Sequence, residues 1–224
     1  MREGHRVLVG MDEVGRGALA GPVSVGAVAI DETCRSAPQG VKDSKLLTQQ
    51  ARERLVPRIE RWALAWGVGH AWPAEIDAIG IMAALRLAGQ RAMAQLALTP
   101  DLVVLDGNCD WLTDPARQGL LALVDPTEAP QVPVRTMIKA DLKCSSVAAA
   151  SVLAKVTRDN HMIRIAPEHP AYAWELNKGY AAPEHQEALR ALGPCVEHRR
   201  SWNITGNTDR GELVPPEARE MDHA

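Results

Sequence analysis

No stretch of this 224-residue chain approaches the ~18 uninterrupted apolar residues of a bilayer-spanning helix, so no membrane span is expected. Nor does the N-terminus resemble a secretory signal. "MREGHRVLVG" runs straight into a strand-like segment, without an apolar h-region or a small-residue cleavage site. Cysteine is scarce and scattered: Cys34, Cys109, Cys144 and Cys195 include no CxxC pair. That argues against a zinc site and a disulfide framework, and it suits a reducing cytoplasm, the expected location. An excess of positive charge is also missing. The formal net charge of −3 excludes a protein that coats nucleic acid nonspecifically, but it leaves room for a local basic groove. What the chain does have is 46% hydrophobic residues, enough for the core of one good-sized domain or two small ones.

Hydrophobic patterning places the elements. "HRVLVGMD" (5–12) alternates as a strand, and "VSVGAVAI" (23–30) reads as a second. Residues 31–44 are polar and irregular. Thr48 is a plausible N-cap for a helix over 48–61, which Pro57 should end or kink. "WALAWGVGHAW" (62–72) reads as a strand and 74–98 as a helical region. "DLVVLD" (101–106) and "VPVRTMIKAD" (132–141) are further strands, each stopping at an Asp. Ser145 and Ser146 open a helix to about residue 163, rich in small apolar residues and so expected to pack closely. A loop rich in Pro and Tyr and a short helix around 183–192 follow. Together these elements predict an α/β fold, a mixed sheet covered by helices in one domain over 1–205, with 206–224 as a flexible tail.

The glycines of "MDEVGRGALAGPV" (11–23), lying just after a strand, raise the possibility of a dinucleotide-binding loop. That reading fails on the connection. Parallel strands need a crossover of roughly a dozen residues, usually a helix. Only "ALAGP" separates Gly17 from Val23, and Pro22 forbids a helix there. The two strands must pair antiparallel, leaving no helix N-terminus for a pyrophosphate, which Asp12 and Glu13 would in any case repel.

Three acids close strand-like runs: Asp12, with Glu13 beside it, then Asp106 and Asp141. Strand ends in α/β sheets are where ligands collect. Two carboxylates ~4 Å apart repel by about 4 kcal/mol at an effective dielectric of 20, so a convergent set calls for cations. An all-oxygen set suits Mg²⁺ or Mn²⁺, and two such ions serve in-line displacement at phosphodiesters. Each Asp could equally cap a turn, as Asp-Gly at 106–107 commonly does, and spacing alone does not decide between the two.

The blocks "MDEVGRGALAGPV", "DSKLL", "EIDAIGI", "LVVLDGN", "KADLKCSSVAAASVLAKVTRD", "NKGYAAPEH" and "HRRSW" settle what spacing cannot. They occur in the order found in the bacterial ribonuclease HII family and cover roughly residues 6–202. The resemblance implies a ribonuclease-H-like fold with a central mixed five-stranded sheet and a helical C-terminal portion. It also implies endonucleolytic cleavage of RNA in RNA/DNA hybrids and cutting on the 5′ side of single ribonucleotides in duplex DNA. Related type HIII enzymes carry an additional N-terminal domain, so this chain looks like type HII. The resemblance assigns Asp12, Glu13, Asp106 and Asp141 to catalysis and to two divalent ions, Mn²⁺ or Mg²⁺. By the same resemblance Asp12 bridges the ions, Glu13 and Asp106 hold one, and Asp141 holds the other. Since neighbouring strand residues face opposite ways, Glu13 is expected to reach the site only if the chain bends there.

Gly15, Arg16 and Gly17 are similar to the family's minor-groove reader of the ribose 2′-hydroxyl, and Tyr180 to the residue packing on the next deoxyribose. Arg16, Lys45, Lys143 and Lys178 are candidates for phosphate contacts. Asp159 is expected to support the site without binding metal. Asn177 stands where the family often has His before "KGY", and that could alter discrimination between hybrid and single-ribonucleotide substrates. Ala18, Ala140 and Trp202 also depart from the commoner residues. No small-molecule cofactor or oligomerisation is expected. The rival reading is a catalytically silent duplex-binding module of the same fold.

Overall fold

The computed structural model describes residues 6–41, 47–114 and 132–204. Lys45 and the tail 206–224 lie outside them. Five strands form one sheet in the order β3-β2-β1-β4-β5. Strand β1 (Leu8–Val14) is central, antiparallel to β2 (Val23–Ile30) and parallel to β4 (Leu102–Asp106). Strand β3 (Ala65–Ala71) extends the antiparallel side and β5 (Val134–Met137) the parallel side. The antiparallel β1–β2 pair that Pro22 demanded is present, in register from Leu8↔Ile30 to Val14↔Ser24.

The period-2 pattern sorts the strands onto two layers. Val9 and Met11 of β1 and Val23, Val25, Ala27 and Ala29 of β2 pack with Ala84, Leu85, Ala88 and Ala92 of helix α3 (Ile81–Ala94). On the other face, Val28 packs with helices α1 (Gln49–Trp62) and α4 (Ser145–Ile165). The expected close packing of α4 is visible at Gly26, where a Cβ would fall 2.2 Å from the Ala150 carbonyl oxygen. The missing side chain lets the helix backbone rest directly on the sheet.

Four boundaries differ from the sequence expectation. Helix α1 runs through Pro57 to Trp62 and shortens the following strand. An interior Pro costs about 3 kcal/mol. Burying Leu55 and Ile59 on either side of it gains about 1.5–3 kcal/mol each, which offsets that cost. The helical region after β3 is two helices, α2 (Pro73–Ile79) and α3, broken at Gly80 with φ +78°. β5 stops at Met137 and not at Asp141. Lys139 turns left-handed at φ +55°, and Asp141 sits in a 3₁₀ turn, Ala140–Leu142. Finally, the expected loop after α4 contains two 3₁₀ turns and a short helix α5 (Trp174–Asn177) before α6 (Pro183–Leu192). These pack through Tyr172, Trp174 and Leu189 onto Met162 of α4 and Ala20. Among the described residues, no helix is long and apolar enough to cross a membrane.

Candidate active site

β1 and β4 pair in parallel only as far as Met11↔Leu105, while β1 continues beside β2 to Val14. A cavity of about 400 Å³ opens where β1 outruns its neighbour. Asp12, Glu13, Val14, Asp106, Arg52, Ser151 and Lys155 line it. No bulge interrupts the pairing of β1 with β2 at Glu13. The β2 ladder runs unbroken through Glu13↔Val25, and the open β4 side gives Glu13 its access. Two larger hollows, of about 650 and 680 Å³, lie elsewhere and gather no set of acids.

Asp12 is only 6% exposed. One carboxylate oxygen accepts the Glu13 N–H at 2.8 Å, and the Ser151 hydroxyl donates to the same carboxylate. Burial pushes its pKa up to about 7; the charges of Glu13 and Asp106 add to the rise, and the Ser151 hydrogen bond opposes it. An acid so destabilised in its charged form is one that a cation would relieve. Asp106 accepts the Ala140 N–H at 2.7 Å, fastening the turn that carries Asp141 to the end of β4. Asp141 is buried in that turn and does not line the cavity. Three of the four expected acids therefore share the cavity, and the fourth is held next to it.

Among the described residues no three His, Cys, Asp or Glu side chains are already drawn to ion-holding distance. Asp12 and Asp106 accept N–H and O–H donors of the protein. The donor chemistry nevertheless fits a hard divalent ion, since oxygen ligands predominate and neither His nor Cys lines the cavity.

The glycine loop lies against two fully buried arginines. Arg158 donates to the carbonyls of Pro22 (2.8 Å), Ala20 (3.0 Å) and Lys178 (3.0 Å). Arg199 donates to those of Gly15 (2.5 Å), Arg16 (2.8 Å) and Gly21 (3.2 Å). Burial, then the neighbouring Arg158 charge, lowers Arg199 to about 9, so it stays protonated at neutral pH. Gly15 has φ +81°, and a Cβ there would fall 2.1 Å from Arg158 Nε. A Cβ at Gly17 would meet nothing within 4 Å, so packing within the protein does not explain that glycine. The Arg16 guanidinium lies 4.0 Å from the Glu13 carboxylate and 3.5 Å from the Met82 sulfur of α3.

Tyr180 is fixed at both ends. Its hydroxyl accepts the Gly15 N–H at 3.2 Å, and its ring lies 5.2 Å from the Arg158 guanidinium. Its carbonyl accepts from His185 Nδ1 at 2.8 Å. The opposite nitrogen of His185 then accepts from His198 Nε2 (3.0 Å) and from Trp174 Nε1 (3.2 Å). The Cys195 N–H donates to His198 Nδ1 at 3.0 Å, completing one consistent neutral tautomer for the pair. Burial, followed by His185, holds His198 at about 4. Asn177 caps the turn before Tyr180, accepting the Gly179 N–H at 2.8 Å and donating to the Tyr172 carbonyl at 2.7 Å. The Lys178 ammonium folds back onto the Glu175 carbonyl, and that of Lys143 lies 3.3 Å from the Ile138 carbonyl. The expected phosphate role of these lysines would require both to swing out.

Sequence reading passed over Ser151, Lys155, Arg158, Arg199 and Arg52. Four residues of α4 reach the site: Ser151, Lys155 and Arg158, with Asp159 pairing to Lys155 at 2.8 Å. Their spacing of four and three was the available signal.

Residues 9–205 match the family model for Ribonuclease HII. A Ribonuclease HII of Streptomyces avermitilis is 45% identical over 199 residues, covering 89% of this chain and 78% of that protein. One from Nitrosococcus oceani is 46% identical over 200 residues, covering 89% of both. The solved ribonuclease H2 of Pyrococcus horikoshii superposes with a TM-score of 0.68 at 28% identity, covering 89% of this chain and 95% of that one. Bst-RNase HIII, solved in complex with Mn²⁺, has the same fold at a TM-score of 0.69 and 22% identity, with 68% of its chain covered. The chain belongs to the ribonuclease HII family.

Proposed function

We propose that this protein is a metal-dependent endonuclease that hydrolyses the RNA strand of RNA/DNA hybrids and cuts 5′ of single ribonucleotides in duplex DNA. The products carry 5′-phosphate and 3′-hydroxyl ends. One observation carries the reading: a buried, charge-strained Asp12 shares a cavity with Glu13 and Asp106, directly beside a loop whose Gly17 presents bare backbone.

Asp12, Glu13 and Asp106, with Asp141 from the adjoining turn, are the residues that would hold two divalent ions, Mg²⁺ or Mn²⁺. Such ions lower the pKa of an attacking water and offset charge on a departing 3′ oxygen. Asp12 and Asp106 each accept a backbone N–H through one carboxylate oxygen, which leaves lone pairs on both groups that would be open to a cation. The loop Gly15-Arg16-Gly17 lays its backbone along the minor groove and recognises the 2′-hydroxyl, the group that separates RNA from DNA. The Arg199 bonds to the Gly15 and Arg16 carbonyls hold that backbone in shape before substrate arrives. Tyr180 packs on the following deoxyribose from a position fixed by Gly15 and His185. A cytoplasmic site of action agrees with four cysteines that form no disulfide.

The test is cleavage of an end-labelled DNA duplex containing one ribonucleotide, with Mg²⁺, with Mn²⁺ and with chelator, beside an all-DNA control. A metal-dependent cut on the 5′ side of the ribonucleotide, with the control intact, is the expected result. Binding without cutting under either metal would replace this reading with the silent duplex-binding module.

A further inference from the structure

Helix α4 lies along the site like a ruler. Ser146 and Val147 rest on Gly10 of β1, and Ser151 reaches Asp12. Arg158 underlies Gly15, and Met162 meets Gly21 and Gly179. The same helix therefore touches the carboxylate cavity at Ser151 and the glycine loop at Arg158. Lys155 lies between them, about 6 Å beyond Ser151 and about 4.5 Å before Arg158 at 1.5 Å per residue. Its side chain, 29% exposed, lines the cavity, and its ammonium is 5.8 Å from the Tyr180 ring centre.

A Lys in an acid-lined cavity would ordinarily be read as a counter-charge to those acids. Here its ion pair, at 2.8 Å, is with Asp159 on its own helix. Asp159 is 5% exposed, so the pair is anchored from beneath and the ammonium is presented to the cavity. The phosphate on the 5′ side of a ribonucleotide is joined to its 2′-hydroxyl through a single sugar. If the carboxylates hold the cut and the loop holds the 2′-hydroxyl, that phosphate lies over the stretch of α4 that carries Lys155.

We propose that Lys155 is a catalytic residue that contacts a non-bridging oxygen of the phosphate being cut, with Asp159 as the positioning residue that keeps its ammonium aimed. This rests on the reading of the cavity as a phosphodiester-cleaving centre. As the water oxygen–phosphorus bond forms and the phosphorus–O3′ bond breaks, the attacking water gives up a proton to solvent, the departing O3′ takes one from solvent to become the 3′-hydroxyl, and negative charge grows on the non-bridging oxygens. Lys155 meets that charge with a fixed cation and keeps its own proton throughout.

The experiment compares the unaltered protein with Lys155→Met, Lys155→Arg and Asp159→Asn. All are assayed in single turnover on a duplex carrying one ribonucleotide, with oxygen or with sulfur at each non-bridging position of the phosphate to be cut. Lys155→Met should slow cleavage by about 10²–10³-fold, the scale for loss of one transition-state donor, while duplex affinity in chelator changes by less than about threefold. Lys155→Arg should recover part of the rate, and Asp159→Asn should lose less than Lys155→Met. The sulfur effect at one position should shrink in Lys155→Met, a signature that general loosening of the fold does not produce. Cutting by Lys155→Met at the unaltered rate, or an unchanged sulfur effect in a slowed variant, would overturn the proposal while leaving the nuclease reading standing. Absence of cutting by the unaltered protein would overturn the nuclease reading and this proposal together.

Discussion

Replacing Asp12 by Asn should stabilise the metal-free protein above neutral pH while abolishing cleavage. Asp12 has a pKa of about 7 in the folded chain against 3.8 as a free side chain, first because it is buried and then because Glu13 and Asp106 crowd it. The folded state thus holds this proton more tightly than the unfolded state does. The contribution is fully present below pH 4 and is lost as pH rises toward 7, where the folded carboxyl ionises. A rise of about three pH units corresponds to about 4 kcal/mol at full effect. For a chain of this length that is on the order of 10 °C in Tm. The assay is thermal unfolding in chelator from pH 5 to 8, for the unaltered protein and Asp12→Asn, then again with Mn²⁺ or Mg²⁺. The unaltered protein should lose stability with rising pH more steeply than Asp12→Asn. Divalent ion should restore that loss at pH 8 in the unaltered protein and much less in Asp12→Asn. Parallel pH profiles for the two proteins would refute the argument that Asp12 is held in a strained, cation-seeking state.

Two further outcomes separate the roles built into the loop. Gly15→Ala should destabilise the fold by at least about 1–2 kcal/mol, because the residue is left-handed and its Cβ would strike Arg158; Gly17→Ala, open to solvent, should shift stability by less than about 0.5 kcal/mol yet slow cleavage at least about tenfold. Denaturant unfolding beside cleavage rates checks both, and a freely active Gly17→Ala would remove the loop from substrate reading. Tyr180→Ala should slow cutting at a single ribonucleotide more than cutting of long hybrids, measured as the ratio of the two rates, and equal losses would count against junction sensing.

Much of this was readable from particular residues. Pro22 and the short link from Gly17 to Val23 forced an antiparallel pair, which the sheet displays. The small residues of α4 foretold its close approach, now seen at Gly26. Asp106 ends its strand as expected, but Asp12 lies inside β1, which runs on to Val14, and Asp141 is off the strand because Lys139 goes left-handed and starts a turn that no apolar alternation signals. Strand alternation predicts a bend at Glu13. The edge vacated by β4 serves instead, and that depends on which strand ends first. Arg158 and Arg199 read as surface charges in a sequence. They are buried because the carbonyls of a loop far away in the chain satisfy them.

The local elements, the pairing of the first two strands and the family are legible along the chain, since alternation, proline geometry and motif order are properties of neighbouring residues. Tertiary structure alone decided which acids share the cavity and how strained Asp12 is. It also decided that one helix carries Ser151 to the carboxylates, Arg158 to the loop and Lys155 between them. Those facts arise from contacts between residues distant in the chain, and from burial, which depends on everything packed around a group and not on the group itself.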